Sequence, residues 1–334
     1  MNDEYLAESG VLDEAIELMK TVIFDPNMKD GEFDAETVAR EKKSVTERIR
    51  SQYDNKSSYA QKRMLEILRP NSPISTSADG TEQAVAAITP SSLIETYTSM
   101  LKEDAIDIYV VGDIDEQVIK EKLKEVLNFE ARPERKKVAF KTDETTTTKE
   151  VQQVREEQDM KQGKLHIGFS TPVTFHHPDY MKMQVTNGVF GGFAHSKLFM
   201  NVREKESMAY YASSSYASHY GLLYVMAGID AELEEKAVKL INEQLTALQN
   251  GEITDLEMDQ TKALLKNSIT STFDSARGQI EVFDQFKEMD EDFTAELLIK
   301  GWEAVTKDDV KEMATNIKLE IIYLLAGKKV AADE

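Results

Sequence analysis

The sequence predicts an α+β protein in which one unit is repeated in tandem, with the first copy incomplete at its N-terminal end. Two observations predict this. Three segments recur in the same order at nearly constant offset, and within each copy the apolar residues change from helical spacing to a strand-like run. Length agrees, because 334 residues with 41% hydrophobic content exceed the usual size of one core.

The elements follow in chain order. Leu12 to Ile23 (LDEAIELMKTVI) parallels Leu233 to Leu245 (LEEKAVKLINEQL), and both carry helical spacing. Phe33 to Asp54 parallels Ile253 to Asp274 without a gap: Val38 falls on Met258, Lys42 on Lys262, Val45 on Leu265, Ile49 on Ile269 and Tyr53 on Phe273. Both are long amphipathic helices by pattern, with Asp34 and Thr254 as N-caps. The third pair is Ile88–Leu101 then Ile106–Ile114, against Val305–Ile317 then Glu320–Lys328. Each reads as an N-cap (Thr89, Thr306), a helix, and a buried strand ending in Gly (Gly112, Gly327).

The second copy holds residues 149–230 ahead of its helix pair, and the first copy shows no counterpart. That insert includes strand-like Lys164–Thr171, helical stretches around Tyr180–Val189 and Lys197–Glu206, and strand-like Ala209–Ala217 and Gly221–Ile229. Subtracting the offset places the counterparts before Met1, so the first copy is expected to be truncated. A sheet lacking such strands would present open edges, which invite aggregation. The stretch KTDETTTTKEVQQVREEQD (Lys141 to Asp159) is polar and Thr-rich and reads as an extended connector. The expected division is therefore a first domain over 1–135, a linker over 136–150 and a second domain over 151–334.

Composition removes several function classes. With 61 acidic against 40 basic residues, the net charge is −21, and no Lys/Arg stripe with interleaved aromatics offers a face for phosphates, so no nucleic-acid partner is expected. The basic run Arg132 to Lys137 sits beside acidic sequence and reads as a solvated linker. Cysteine is absent, which excludes disulfides, thiolate zinc sites and Cys nucleophiles. No apolar run approaches the ~20 residues that span a bilayer, so no membrane association is expected. The N-terminal MNDEYLAESG lacks a basic n-region and an apolar h-region. A cytoplasmic location is the expectation.

Metal chemistry needs converging ligands, and the five histidines do not provide a recognisable set. His166, His176, His177, His195 and His219 form neither H-E-x-x-H nor H-x-x-E-H. His176–His177 precedes Pro178 and reads as a turn. His166 alternates with Leu165 and Ile167 in a strand and is expected at the surface or hydrogen-bonded. No G-x-G-x-x-G, P-loop or G-x-S-x-G occurs. Ser213–Ser215 reads as strand without a base pattern, so it is not read as a nucleophile.

The most distinctive stretch runs from Gly191 to Tyr216 (GGFAHSKLFMNVREKESMAYYASSSY). Its two glycines permit close backbone approach. A short helix follows with Leu198, Phe199 and Val202 on one face, then Arg203-Glu-Lys-Glu-Ser-Met-Ala-Tyr210 leads into a strand. This pattern resembles the second homologous domain of the pitrilysin/insulinase (M16) metallopeptidase family, and the resemblance extends over essentially the whole chain. It implies tandem α+β domains of the LuxS/MPP-like metallohydrolase type, paired as a clamshell. In that family the first domain carries H-x-x-E-H and a further Glu on a later helix to hold zinc. The second domain supplies an Arg and a Tyr to the substrate, positions that fall here on Arg203 and Tyr210. A guanidinium donates to peptide carbonyls, and a phenol stabilises a developing oxyanion. Without such a role, Arg203 would simply pair with Glu204 or Glu206 and Tyr210 would pack.

Two departures bear on activity. No H-x-x-E-H is present, and on the helix Arg40–Arg48 the expected ligand position falls on Arg48. A cation there repels zinc. Glu47 lies one residue away, rotated ~100° around the helix. The resemblance therefore implies an inactive member with no cofactor and no catalytic residue. It would bind peptide or protein, with Arg203 and Tyr210 as substrate-binding residues, and form a homo- or heterodimer with a peptidase subunit of the same family. Two alternatives are an active zinc endopeptidase whose H-x-x-E-H lies outside this sequence and a purely structural scaffold subunit.

Overall fold

The computed structural model describes residues 10–130, 150–287, 289 and 293–328. The run Arg132–Lys137 and all but the last residue of the expected linker lie outside the described residues. The chain divides into two compact units. The first comprises residues 10–51, 78–130 and 274–282, and the second comprises residues 52–77 together with most of the chain from 150 onward.

In the first unit, α1 (Val11–Phe24) buries Ile16 and is tied to α6 (Glu116–Leu127) by the Lys122–Asp13 ion pair. A two-stranded ribbon, β1 (Met28–Lys29) and β2 (Glu32–Phe33), precedes α2 (Ala35–Asp54). Asp34 caps α2, accepting from the Thr37 N–H at 2.9 Å, as its residue type foretells. Further along lie α4 (Glu82–Ala87) and α5 (Pro90–Glu103). Tyr97 of α5 meets the Phe33 ring edge-on at 5.6 Å.

The second unit is built on a five-stranded sheet. Its strands are β3 (Gln152–Gln158), β4 (Gly163–Ser170), β5 (Ala209–Ala217), β6 (Leu222–Ile229) and β7 (Lys318–Gly327). They lie in the order β3-β7-β4-β6-β5, with only the β3–β7 pair parallel. On β4, Leu165, Ile167 and Phe169 are fully buried on one face, where Phe169 meets the Phe190 ring edge-on at 6.4 Å; α7 (Tyr180–Asn187), which also contacts β5, and α8 (Glu234–Gln249) both pack on α12 (Lys307–Thr315). The opposite face lies beneath α3 (Lys56–Leu68), whose Ala60, Met64, Leu65 and Leu68 join Leu222, Ile321, Tyr323 and Leu325 in one cluster. The remaining helices are α9 (Asp255–Phe273), α10 (Ala276–Phe286), which begins in the first unit, and α11 (Ala295–Ala304).

The repeat read from the sequence is visible in matching local contacts. Thr89 and Thr306 each form a reciprocal capping box, with Ser92 and Asp309 respectively. Thr254 caps α9 through Glu257. Lys42 of α2 donates to the Ala86 carbonyl at 3.0 Å, and its counterpart Lys262 of α9 donates to the Glu303 carbonyl at 3.0 Å. Each lysine thus satisfies a carbonyl at the end of the next helix but one in its own copy, where the intrahelical acceptors run out.

Three expectations are corrected. Ile106–Val111, expected as a buried strand, joins no strand ladder among the described residues, and Ile106, Ile108 and Val110 are exposed. Its counterpart β7 is a strand because β3 and β4 flank it, and a strand exists only through such pairing. The connector stretch through Asp159 contains β3, whose alternate residues are half-buried. Glu156 of β3 accepts from Arg63 at 2.8 Å and from the phenols of Tyr59 and Tyr323 at 3.3 and 2.9 Å; these bonds, the Arg63 one foremost, hold its carboxyl below the ordinary range. Finally, His166 is neither at the surface nor hydrogen-bonded. It is fully buried, and both ring nitrogens lack a partner in the structure. Burial pushes its pKa down to about 4, because both faces of β4 are covered and the charged imidazolium is desolvated there.

Candidate functional site

The Gly191–Tyr216 segment starts where α7 widens into a π-helical turn, Gly188–Gly192, a distortion that recurs at functional sites. The glycines are required here by space. A Cβ on Gly188 would stand 2.5 Å from the Thr261 methyl, and one on Gly191 2.7 Å from the Ser214 backbone nitrogen. The sequence expectation of close backbone approach is therefore met by β5 itself.

The loop that follows is pinned from beneath by α9. His195 Nε2 and Thr261 Oγ1 are 2.8 Å apart, and Lys197 pairs with Glu257 at 2.9 Å with little of either side chain exposed. Burial raises the Glu257 carboxyl, but hydrogen bonds from Thr254 and Lys197 outweigh it and leave it below its usual range. A second π-helical segment, Leu198–Lys205, buries Leu198 and Val202. It ends at Ser207, whose φ of 50° is the left-handed value that terminates helices.

This frame positions Arg203 and Tyr210. The guanidinium lies 4.5 Å from the Phe199 ring centroid, Nε donates to the Tyr210 carbonyl at 3.0 Å, and Nη1 is 3.2 Å from Glu204. One aromatic face and two acceptors thus restrain a half-exposed cation. Tyr210 is set by a β-bulge. Ala209 pairs with Ile229 and Tyr211 with Gly228, so Tyr210 is the extra residue on β5. A bulge re-aims the inserted side chain, and the Tyr210 ring is 72% exposed. Of the expected alternative, the Arg203–Glu204 pair is present, whereas Tyr210 does not pack. The structure brings Arg203 and Tyr210 together through a backbone carbonyl and leaves the phenol facing solvent.

In the first unit, the position that the resemblance assigns to a metal ligand does not fit a metal. Arg48 Nε donates to Asp79 Oδ1 at 2.7 Å. Glu47 stands on exposed helix surface, 3.9 Å from Lys43. Among the described residues no group of three or more His, Asp or Glu converges to hold an ion. None of their helices is long and apolar enough to cross a membrane.

A helix-backed mixed sheet, a glycine-dependent loop leading to a restrained Arg and an exposed Tyr, and no converging metal ligands among the described residues are the features by which this scaffold can be compared. Comparison with known proteins gives the class. Residues 87–265 match the model of the peptidase M16 inactive domain. The chain is 37% identical over 332 residues to "Probable inactive metalloprotease YmfF" of Bacillus subtilis, covering 99% of this chain and 77% of that one. Among solved structures, a conserved protein of Enterococcus faecalis is similar at a TM-score of 0.90 and 36% identity, covering 99% of this chain and 77% of that one. A peptidase M16 inactive domain from Pseudomonas fluorescens shares the fold at a TM-score of 0.73 and 19% identity, covering 97% and 77%. The chain belongs to the M16 peptidase family, as a homologue of its inactive type.

Sequence reasoning missed the residues that support the site. Lys197 and Glu257, His195 and Thr261, and Asn187 and Ser214 are partners from distant parts of the chain, and no local pattern joins them. The bulge at Tyr210 carried one legible trace. Ala209 and Ala212, small residues three apart in an otherwise alternating strand, are both buried, as a two-residue period interrupted once requires.

Proposed function

We propose that this chain is a non-catalytic M16 homologue that binds an extended peptide or protein segment and pairs with an active zinc peptidase subunit. The observation that carries the reading is the Arg48–Asp79 ion pair at the position where catalysis would need a zinc-binding carboxylate. Replacing it with a metal would require breaking that pair and bringing a dication against a guanidinium.

Two features support the binding half. Arg203 is held by Phe199 and the Tyr210 carbonyl, so its remaining N–H groups are pre-oriented toward acceptors such as peptide carbonyls. Tyr210, whose carbonyl holds Arg203, exposes its side chain to solvent. The pairing half is supported by the exposed apolar side chains of Ile106, Ile108 and Val110, since clustered exposed apolar surface favours association. The acidic, cysteine-free composition agrees with a cytoplasmic setting.

The test is a pair of measurements on the purified chain. Metal analysis after zinc loading and dialysis is expected to find no stoichiometric zinc. Fluorescence polarisation with labelled unfolded casein peptides is expected to show binding that Arg203→Ala and Tyr210→Ala each weaken by roughly 1–2 kcal/mol, the size of a charge-assisted hydrogen bond or an exposed aromatic contact. Stoichiometric zinc with chelator-sensitive cleavage would replace this reading with a working peptidase. Binding unchanged in both variants would leave only a scaffold.

A further inference from the structure

Between α7, the π-helical turn after it and the C-terminal half of β5 lies a cavity of about 340 Å³. Gln184, Asn187, Ser214, Ser215, Ser218 and Gln285 supply its polar wall, and Phe193 and Leu265 its apolar side. Among the described residues, no Asp, Glu, Lys, Arg or His lines it.

The polarity of its hydrogen bonds is fixed from behind. Trp302 Nε1 can only donate, and it donates to Gln184 Oε1 at 2.8 Å. The amide is thereby oriented, and Gln184 Nε2 donates to Tyr180 Oη at 2.9 Å. Tyr180 Oη accepts there, so its own O–H hydrogen remains to donate, and Ser218 also lines the wall. On the other side, Ser214 Oγ donates to Asn187 Oδ1 at 2.7 Å, which leaves the Asn187 NH₂ edge turned toward Gly192, where no side chain intervenes.

We propose that this cavity is a binding site for a neutral carboxamide, of the kind a glutamine side chain presents. An ionic group would give up hydration with no counter-charge among the described lining residues. A purely apolar group would strand the Asn187 N–H and the hydroxyl hydrogen. A carboxamide accepts from both donors, returns its own N–H to a serine oxygen, and lays its methylenes against Phe193 and Leu265. The site does not depend on Arg203 or Tyr210, so it stands apart from the peptide-binding reading.

The experiment is an amide ¹H–¹⁵N NMR titration of the whole chain. The probes are N-acetyl-glutamine methylamide, free glutamine, and the glutamate and lysine analogues of the blocked probe. Saturable shifts confined to residues around 184–193 and 214–218 with the blocked glutamine probe are expected, with free glutamine weaker because its two charged ends resist burial. Equal shifts with the glutamate or lysine probe, shifts elsewhere, or no saturation would overturn the proposal. Asn187→Leu is expected to weaken the glutamine probe about tenfold. Should that variant misfold, Asn187→Asp keeps the shape and the Ser214 bond, and it is expected to shift preference to the lysine probe. Retained glutamine preference in a folded Asn187→Asp would also defeat the assignment.

Discussion

On β4, a histidine is surrounded by carbon. Both nitrogens of His166 are without partners, and its pKa of about 4 lies well below the ordinary 6.5. The unfolded chain therefore takes up a proton on this side chain near pH 6.5, while the folded one resists until about pH 4. Stability is full above that window and is lost as pH falls through it. Between pH 7 and pH 5 the loss attributable to this group is about 2 kcal/mol. Urea melts at the two pH values should show it, and His166→Leu should remove most of that pH dependence. An equal loss in the variant would assign it to other groups. A few residues away, Arg69 and Glu320 form an ion pair at 2.7 Å with 7% and 2% of their side chains exposed, yet Arg69 Nη2 and Glu320 Oε1 lack further partners. Breaking it in Arg69→Met should cost about 3–5 kcal/mol by leaving a buried charge. Arg69→Met combined with Glu320→Gln should recover much of that loss in a double-mutant cycle. Neither feature was legible in the sequence. His166 was placed on its strand correctly, but its burial depends on α3, a helix about a hundred residues earlier in the chain.

Elements were legible wherever their stability is local. The caps at Asp34, Thr89, Thr254 and Thr306 were read from residue type and spacing, and all four form their bonds. β4 and β6 announced themselves by apolar runs that include β-branched residues, and β5 by its tyrosines. The failures share a cause, which is that strand identity depends on neighbours. Ile106–Val111 has the composition of a strand and no ladder among the described residues, whereas polar Gln152–Gln158 is a strand because β7 accepts it in parallel. The close approach of the π-helical turn to β5 is the element-scale feature on which the site depends. Gly191→Ala would drive a Cβ to within 2.7 Å of the Ser214 backbone nitrogen, and strand backbone cannot yield as a side chain does. The expected loss is about 1–3 kcal/mol, read by thermal or urea unfolding. Shifted NMR signals at Arg203 and Tyr210 should accompany it, since the same segment carries them. A variant as stable as the parent would show that the turn can withdraw.

At the scale of the whole molecule, chain order and spatial order part company. Residues 52–77 belong to the second unit, while residues 274–282 belong to the first, so a cut in the sequence between the two copies does not separate two complete cores. The face of the second-unit sheet that carries Ile321, Tyr323 and Leu325 is covered by Ala60, Met64, Leu65 and Leu68 of α3. Met64 is fully buried, and Met64→Ala in the whole chain should cost about 2–5 kcal/mol, whereas Leu18→Ala on α1, 65% exposed, should change stability by no more than ~0.5 kcal/mol. A fragment of residues 150–328 lacks α3 altogether. It should form a sheet with one apolar face open, bind the dye ANS strongly and self-associate in sedimentation. Adding a synthetic peptide of residues 52–77 should suppress both the dye signal and the association, because Met64 and its neighbours would refill the face. The same peptide with Met64→Asp should fail, as a carboxylate cannot be buried against Tyr323 and Leu325 without a partner. A monomeric fragment that ignores the peptide would mean that the sheet closes without α3, and the large cost assigned to Met64→Ala would then have to come from elsewhere.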